Sequence, residues 1–309
     1  MRIVSLLPST TEILFALGVG EDVVGVTFEC DHPAEARRRR IVSGTTMPSG
    51  LDPAGIDAWV ARATAAGEDL YTLDAGALSD LDPDLVLTQD LCAVCAIDVG
   101  TVDDALAHLG CRAEVLSFDP HTIAEIADSV RAIGRAVGRE QEAEELAATV
   151  DALETSPAGA STTPTTGRTT GRTTGPTASS TGRRPRVVVL EWTDPPYAPG
   201  HWIPEMVEAA GGECVLGTAG ARSVRTTWAE VAAARPDLVV VAPCGFDREG
   251  ARAQERALLA AGVLPAGVPT YAVDANAHWA RPGPRIVEGV ADLRTALGRL
   301  EEGASRRPS

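Results

Sequence analysis

A seven-residue pattern occurs twice in this chain, and it constrains the fold more than any other feature. Leu81-Asp82-Pro83-Asp84-Leu85-Val86-Leu87 returns as Ala234-Arg235-Pro236-Asp237-Leu238-Val239-Val240. Each copy follows a short helical pattern. Each leads through a polar loop carrying a cysteine, Cys92 or Cys244, to another helix and another strand. Self-similarity over such a distance implies two lobes of like architecture. The apolar runs at residues 3–7, 85–87, 186–190 and 238–241 suit strands buried on both faces, and they alternate with helical patterns. That alternation predicts an α/β fold with parallel sheets covered by helices. In such sheets ligands bind beyond the carboxyl ends of the strands. Two Rossmann-like lobes facing each other would therefore enclose a cleft lined by those loops.

Between the halves lies a helical segment, residues 121–155. Thr122 and Glu125 fit a capping box. Ile123, Ile126, Val130, Ile133 and Val137 recur by threes and fours on one face, and Leu146, Val150 and Leu153 resume it after Gly138-Arg139-Glu140. One long helix or two successive helices fit equally. The expected organisation is an N-terminal lobe (1–120), this connector (121–155) and a C-terminal lobe (185–309). Residues 156–184, rich in Thr, Gly and Pro, lack apolar periodicity and are expected to form a disordered loop. A second capping-box pattern, Ser9-Thr10-Thr11-Glu12, is expected to open a helix carrying Ile13, Leu14 and Leu17.

Charge narrows the function classes. The net charge is −16, and all 27 basic residues are Arg. Nucleic-acid binding and docking on anionic membranes both need a basic surface. No stretch approaches the roughly 20 apolar residues that span a bilayer. Met1-Arg2 runs straight into a strand pattern with no apolar leader, so a cytoplasmic location is expected, or an extracytoplasmic one if the true start lies upstream. In a reducing compartment the six cysteines are expected to stay mostly unpaired.

Several loops at predicted strand ends carry chemistry. Cys30-Asp31-His32 offers a thiol and an imidazole for a metal, or His32 as an axial nitrogen for cobalt or haem iron; the plainer reading makes His32 a loop residue beside Pro33. Cys92 and Cys95 form a C-x-x-C pair, and with Cys30 and Cys244 they could converge on one metal; small buried thiols are the plainer reading. Trp192, Trp202, Trp228 and Trp279 cluster with Tyr197 in the second half, rings suited to a flat macrocycle or to core packing. His201 and His278 each adjoin one of these tryptophans and are further axial candidates. Ser9 and Thr10, at a helix start, could meet a phosphate or carboxylate, or simply cap the helix.

These pieces together resemble a known family. Arg2-Ile3-Val4-Ser5-Leu6-Leu7-Pro8-Ser9-Thr10-Thr11-Glu12, the strand Pro83-Asp84-Leu85-Val86, Pro204-Glu205-Met206-Val207-Glu208-Ala209-Ala210-Gly211-Gly212 and Arg281-Pro282-Gly283-Pro284-Arg285-Ile286 are similar to the substrate-binding proteins of ABC importers for vitamin B12, iron-siderophores and haem. The opening motif and Pro195-Pro196-Tyr197 are closest to the cobalamin-binding branch. The resemblance implies two lobes on a rigid helical spine, a small-molecule ligand between them, no catalysis, no catalytic cofactor, and a monomer that delivers to an ABC permease. The expected ligand is a cobalamin-like corrinoid, with haem or a ferric siderophore as the alternative. Glu29 and Gln89 stand where that branch has aromatic cleft residues. The family's docking carboxylates fall at Gly76 and Ala229, with Asp74 and Glu230 nearby but out of register. A reading of another class makes the chain a Cys/His metallochaperone or a tetrapyrrole-modifying enzyme. Against catalysis, the sequence has no Gly-rich phosphate loop, no Ser-His-Asp grouping and no metalloprotease helix.

Overall fold

A computed structural model describes residues 1–89, 113–155 and 183–305. In the first half, strands β1 (Ile3–Ser5), β2 (Val23–Val26), β3 (Arg40–Ile41), β6 (Leu85–Gln89) and β7 (Glu114–Phe118) form a parallel sheet of order β3-β2-β1-β6-β7. In the second half, β8 (Arg186–Leu190), β11 (Glu213–Cys214), β13 (Leu238–Val241) and β14 (Thr270–Ala272) form a parallel sheet of order β11-β8-β13-β14. The first strand of each lobe thus pairs with the strand of the repeated Pro-Asp motif. Two small antiparallel sheets complete the chain: β4 (Ser43–Thr45) with β5 (Tyr71–Leu73), and β12 (Val224–Arg225), β10 (Pro196–Ala198) and β9 (Trp192–Thr193).

The repeated motif has a physical reason. Arg2 N–H donates to the Asp84 carboxylate at 2.7 Å, and Arg186 N–H donates to Asp237 at 2.7 Å. The backbone answers in both lobes, with Asp84 N–H donating to Arg2 O and Asp237 N–H to Arg186 O. The Arg2 and Arg186 side chains donate back to carbonyls at the end of the preceding helices, α3 (Ala75–Leu81) and α7 (Trp228–Ala233 and its C-cap Ala234). Asp82 and Arg235 take the left-handed conformation that ends those helices. Each Pro-Asp motif therefore stops a helix, starts a strand and ties that strand to its neighbour.

The connector is two helices, α4 (Ile123–Ala136) and α5 (Glu140–Thr155), with Gly138 at φ +66° in the turn between them. They pack so closely that a Cβ on Gly134 would overlap that of Ala143. Arg131 on α4 bridges to Glu144 and Asp151 on α5. Thr122 caps α4, but Glu125 accepts from His121 N–H at 2.5 Å rather than from Thr122. A single apolar core runs from Ile3 and Leu14 through Ile126, Val130 and Val150 to Val187, Met206 and Leu293. The lobes are thus joined through packed side chains. Separate clusters around Val86 and Leu78, and around Val239 and Leu258, cover the outer sheet faces.

One expected cap is overturned. Helix α1 (Pro8–Ala16) takes Pro8 at its first turn and Leu7 as N-cap, with no side-chain cap. Proline fits there because its missing N–H is not needed. Ser9 and Glu12 are then inside the helix, and the carboxylate of Glu12 is free for a longer-range partner. The expected disordered loop falls mostly outside the described residues.

Candidate functional site

The strand-end loops of both sheets meet between the lobes. From the first lobe come Leu7 after β1, residues 27–31 after β2 and Gln89 at the end of β6. From the second come Glu191 after β8, residues 242–246 after β13 and the segment 274–281 after β14, which includes the short helix α9 (Ala275–His278).

Arg281 is the main bridge. Its guanidinium donates to Glu12 Oε1 at 2.8 Å, to Asp31 Oδ1 at 2.6 Å, to the Glu29 carbonyl at 3.3 Å and to Asn276 Oδ1 at 3.1 Å. Asn276 donates in turn to Asp31 at 3.2 Å. The Arg281 side chain is 8% exposed and that of Glu12 only 2%. Burial pushes the Glu12 carboxyl up from its ordinary range, and Arg281 opposes that shift. Glu29 is raised by burial as well. For Asp31 burial acts in the same direction, but the hydrogen bond and charge of Arg281 outweigh it and hold the carboxyl low. Glu12 Oε2 is buried with no partner among the described residues. Nothing in the local sequence marks Glu12 and Arg281 as partners.

A second bridge lies on helix α2 (Pro53–Ala66) of the first lobe. Asp57 accepts from Tyr197 Oη at 3.1 Å and from Arg225 Nη2 at 2.7 Å, and the Pro53 carbonyl accepts from Trp192 Nε1 at 3.1 Å. Tyr197 and Trp192 are cross-strand neighbours on β10 and β9. Trp192 also leans on Phe246, an aromatic that the sequence reading passed over, with ring centroids 5.8 Å apart.

The structure sorts the remaining candidates. Ser9, Thr10 and Gln89 are brought together around a crevice shared with Phe118, Pro120 and, from the other lobe, Pro282. Its free interior is about that of a single water molecule. Thr10 turns its hydroxyl to Ser5 and to the Leu7 carbonyl. Trp202 and Trp279 are buried in the main core, with Trp202 Nε1 donating to Trp279 O at 2.9 Å, so neither ring lines the cleft. Trp228 is partly buried and packs on the apolar cluster of the second sheet that holds Leu190 and Val241. Apolar burial has claimed the rings of Trp202 and Trp279. His201 belongs to a different group: its ring sits 5.3 Å from His121, near Asp119 and Arg222, at the start of the connector.

His32 and His278 come from opposite lobes into one neighbourhood. Both feel Arg285 and Glu288. His278 Nε2 lies 3.1 Å from Arg285 Nη2, and His32 is exposed. Burial first, then the Arg285 charge, lowers the pKa of both, so both imidazoles favour their neutral form.

The proposed thiol site is not assembled among the described residues. Cys30 is buried against Thr11 at 3.0 Å, and burial pushes its thiol up to about 12, so it stays protonated. Cys244 is exposed on the loop after β13. No group of three His, Cys, Asp or Glu side chains suited to a metal occurs among the described residues. Cys92 and Cys95 lie outside them.

Glu191 gives this region a pH signature. Its carboxylate accepts from Gly200 N–H at 3.1 Å and from the Ser223 hydroxyl, and burial raises it from 4.5 to about 7. A carboxyl raised in the folded state stabilises through its neutral form. That contribution is complete below about pH 4.5 and is lost as pH rises through 7, a swing of at most about 3 kcal/mol. Melting curves from pH 5 to 8 are expected to show stability falling with pH in the native protein, less steeply in Glu191→Gln. Equal slopes in the two proteins would contradict this assignment.

Two parallel-sheet lobes on a packed connector, facing each other through their strand-end loops, define the bilobal binding-protein fold. Residues 3–156 belong to the family described as periplasmic binding protein, whose model matches them. Likeness to solved structures reaches beyond those residues into the second half of the chain. The periplasmic heme-binding protein RhuT from Roseiflexus sp. RS-1 superposes with a TM-score of 0.64 at 23% identity, covering 97% of this chain and 98% of that one. The vitamin B12 binding protein BtuF of Vibrio cholerae gives 0.61 at 20%, covering 97% of both chains. The heme-binding protein HutB of the same species gives 0.66 at 17%, covering 96% of this chain and 98% of that one. At these identities the likeness is one of fold. An uncharacterized ABC transporter substrate-binding lipoprotein, YvrC of Bacillus subtilis, is 54% identical over 37 residues, 12% of this chain and 12% of that protein. No helix among the described residues is long and apolar enough to cross a membrane.

Proposed function

We propose that this protein is a non-catalytic binding protein that holds a cobalamin-like corrinoid between its lobes. The observation that carries the reading is that His32 and His278, from opposite lobes, both lie near Arg285 and Glu288, with His32 exposed and favouring its neutral form. A neutral imidazole is the form that ligates a metal centre, and a ligand seated there would touch both lobes. Trp192, Tyr197 and Phe246 add aromatic surface at the cleft's edge. Ser9, Thr10 and Gln89 add polar groups that would meet the ligand's periphery once the crevice opens. Haem or a ferric siderophore is the second reading, favoured by the polar cluster that Arg281 gathers from the Glu12 and Asp31 carboxylates and the Glu29 carbonyl, a more polar setting than a corrin needs.

Delivery to an ABC permease is part of the proposal. Asp74 and Glu230 stand at the first turns of the equivalent helices α3 and α7, one in each lobe, and both are exposed. Each also caps its helix, Asp74 by accepting from Ala77 N–H and Glu230 within a full capping box with Thr227.

Absorbance titration with hydroxocobalamin, with haemin alongside, tests the ligand. A saturating shift at micromolar corrinoid is expected, and His32→Ala is expected to abolish it. Saturation by haemin alone would move the assignment to haem. A silent spectrum with both would overturn the axial-imidazole reading.

A further inference from the structure

The geometry points to helix α2 and its flanks as a strap, rooted in the first lobe and fastened across the cleft to the second, that must unfasten for ligand to enter or leave. Residues 46–70 leave the first lobe between β4 and β5 and return to it. The root is closed by the antiparallel pairing of Ser43 with Leu73 and Thr45 with Tyr71. Thr46 N–H and the Thr45 hydroxyl both donate to Leu70 O at 3.1 Å, and the Thr46 hydroxyl reaches Asp69 O. Beyond this root, Gly50 at φ +82° and Gly67 at φ +68° flank the helix, conformations in which glycine is unstrained. The excursion therefore has a fixed base and two permissive turns.

What holds its far end is polar. Among the described residues Ala63 is the one buried side chain of α2, and none of the helix joins the three apolar clusters. The helix is pinned to the second lobe by Asp57 on Tyr197 and Arg225 and by the Trp192 indole on the Pro53 carbonyl. Arg225 is 56% exposed, and its guanidinium also lies over the Tyr197 ring at 5.8 Å. Asp57 is 17% exposed, so the pair is open to water on the arginine side, and ion pairs that water reaches are weak. The connector is the opposite case, with Ile126, Val130 and Val150 fully buried in the shared core. Between the lobes the crevice at Ser9, Gln89 and Pro282 has room for about one water. A macrocycle entering at this crevice needs a rearrangement, and the polar clasp of the strap is a fastening that such a rearrangement can release. A polar clasp on a glycine-flanked helix is what local opening draws on, a low-stability segment over a stable scaffold.

This inference rests on the binding-protein reading for its purpose but not for its test, which uses the ligand-free full chain. Amide hydrogen exchange is followed by mass spectrometry in the native protein, Asp57→Ala, Arg225→Ala and the exchanged pair Asp57→Arg/Arg225→Asp. Peptides over residues 53–66 are expected to exchange about three- to tenfold faster in either single variant. Peptides of the connector, residues 123–155, are expected to stay unchanged, and the exchanged pair should recover much of the protection. Unchanged exchange over 53–66 in both single variants would overturn the strap, as would equal acceleration in strap and connector, which would mean general destabilisation. In a separate arm, hydroxocobalamin release is expected to be faster in Asp57→Ala. A protein that binds no corrinoid yet shows the selective exchange keeps the strap and loses only the ligand assignment.

Discussion

Replacing Arg281 with methionine lowers the free energy of unfolding by about 3–5 kcal/mol, the cost of removing one partner from a buried ion pair. The size follows from what is left behind. Glu12 is buried within helix α1 and already raised by that burial, and Arg281 is the nearer of the two cations that oppose the shift. Without Arg281 its carboxylate keeps only Arg285, at 3.5 Å. Asp31 loses its closest donor as well. The double variant Glu12→Gln/Arg281→Met removes the orphaned charge and is expected to regain part of the loss, since replacing both partners is gentler than removing one. Urea denaturation of the native, single and double variants measures this. A single variant within about 1 kcal/mol of native would show that the pair is not a buried bridge.

The second large effect concerns the tryptophans. Trp279→Ala and Trp202→Ala are each expected to cost about 3–5 kcal/mol, because both rings fill the core shared by connector and second lobe. Trp279 is 1% exposed, and Trp202 ties to its carbonyl. Trp192→Ala is expected to cost far less, since that ring is only partly buried and leans on Phe246 at the surface of the cleft. Thermal or urea unfolding of the three variants separates core rings from cleft rings. A small loss at Trp279 would return it to the list of ligand-facing aromatics.

Much of the fold was legible because its signals are local and repeated. The Pro-Asp motif carries its own helix stop, strand start and strand tie at Asp84 and Asp237, so two copies announced two lobes. The spacing of Ile123, Ile126, Val130 and Ile133 announced a buried helical face, which the core confirms. Whether the connector was one helix or two was not legible, because Gly138 permits either and Ala143 against Gly134 decides.

The site was less legible, for the opposite reason. Ser9-Thr10-Thr11-Glu12 matches a capping box letter for letter, yet Pro8 starts the helix earlier and Glu12 turns to an arginine 269 positions away. A contact at that separation leaves no trace in local periodicity. Trp202 and Trp279 fall in the core because a large ring near a strand end serves a core and a cleft equally well, and only packing tells them apart. That His32 and His278 both lie near Arg285 and Glu288 depends on how the lobes face each other. That follows from the connector, not from either histidine's neighbours in sequence.

The proposed function requires that the two lobes hold one metal-centred ligand between them. Equilibrium dialysis of the purified protein against cyanocobalamin, with haemin and a ferric hydroxamate in parallel cells, tests it most directly because it needs no spectral change. Saturable retention of corrinoid at one molecule per chain is expected, weakened in Arg281→Met, where the lobes have lost their main bridge. Retention of none of the three at concentrations well above micromolar would contradict it.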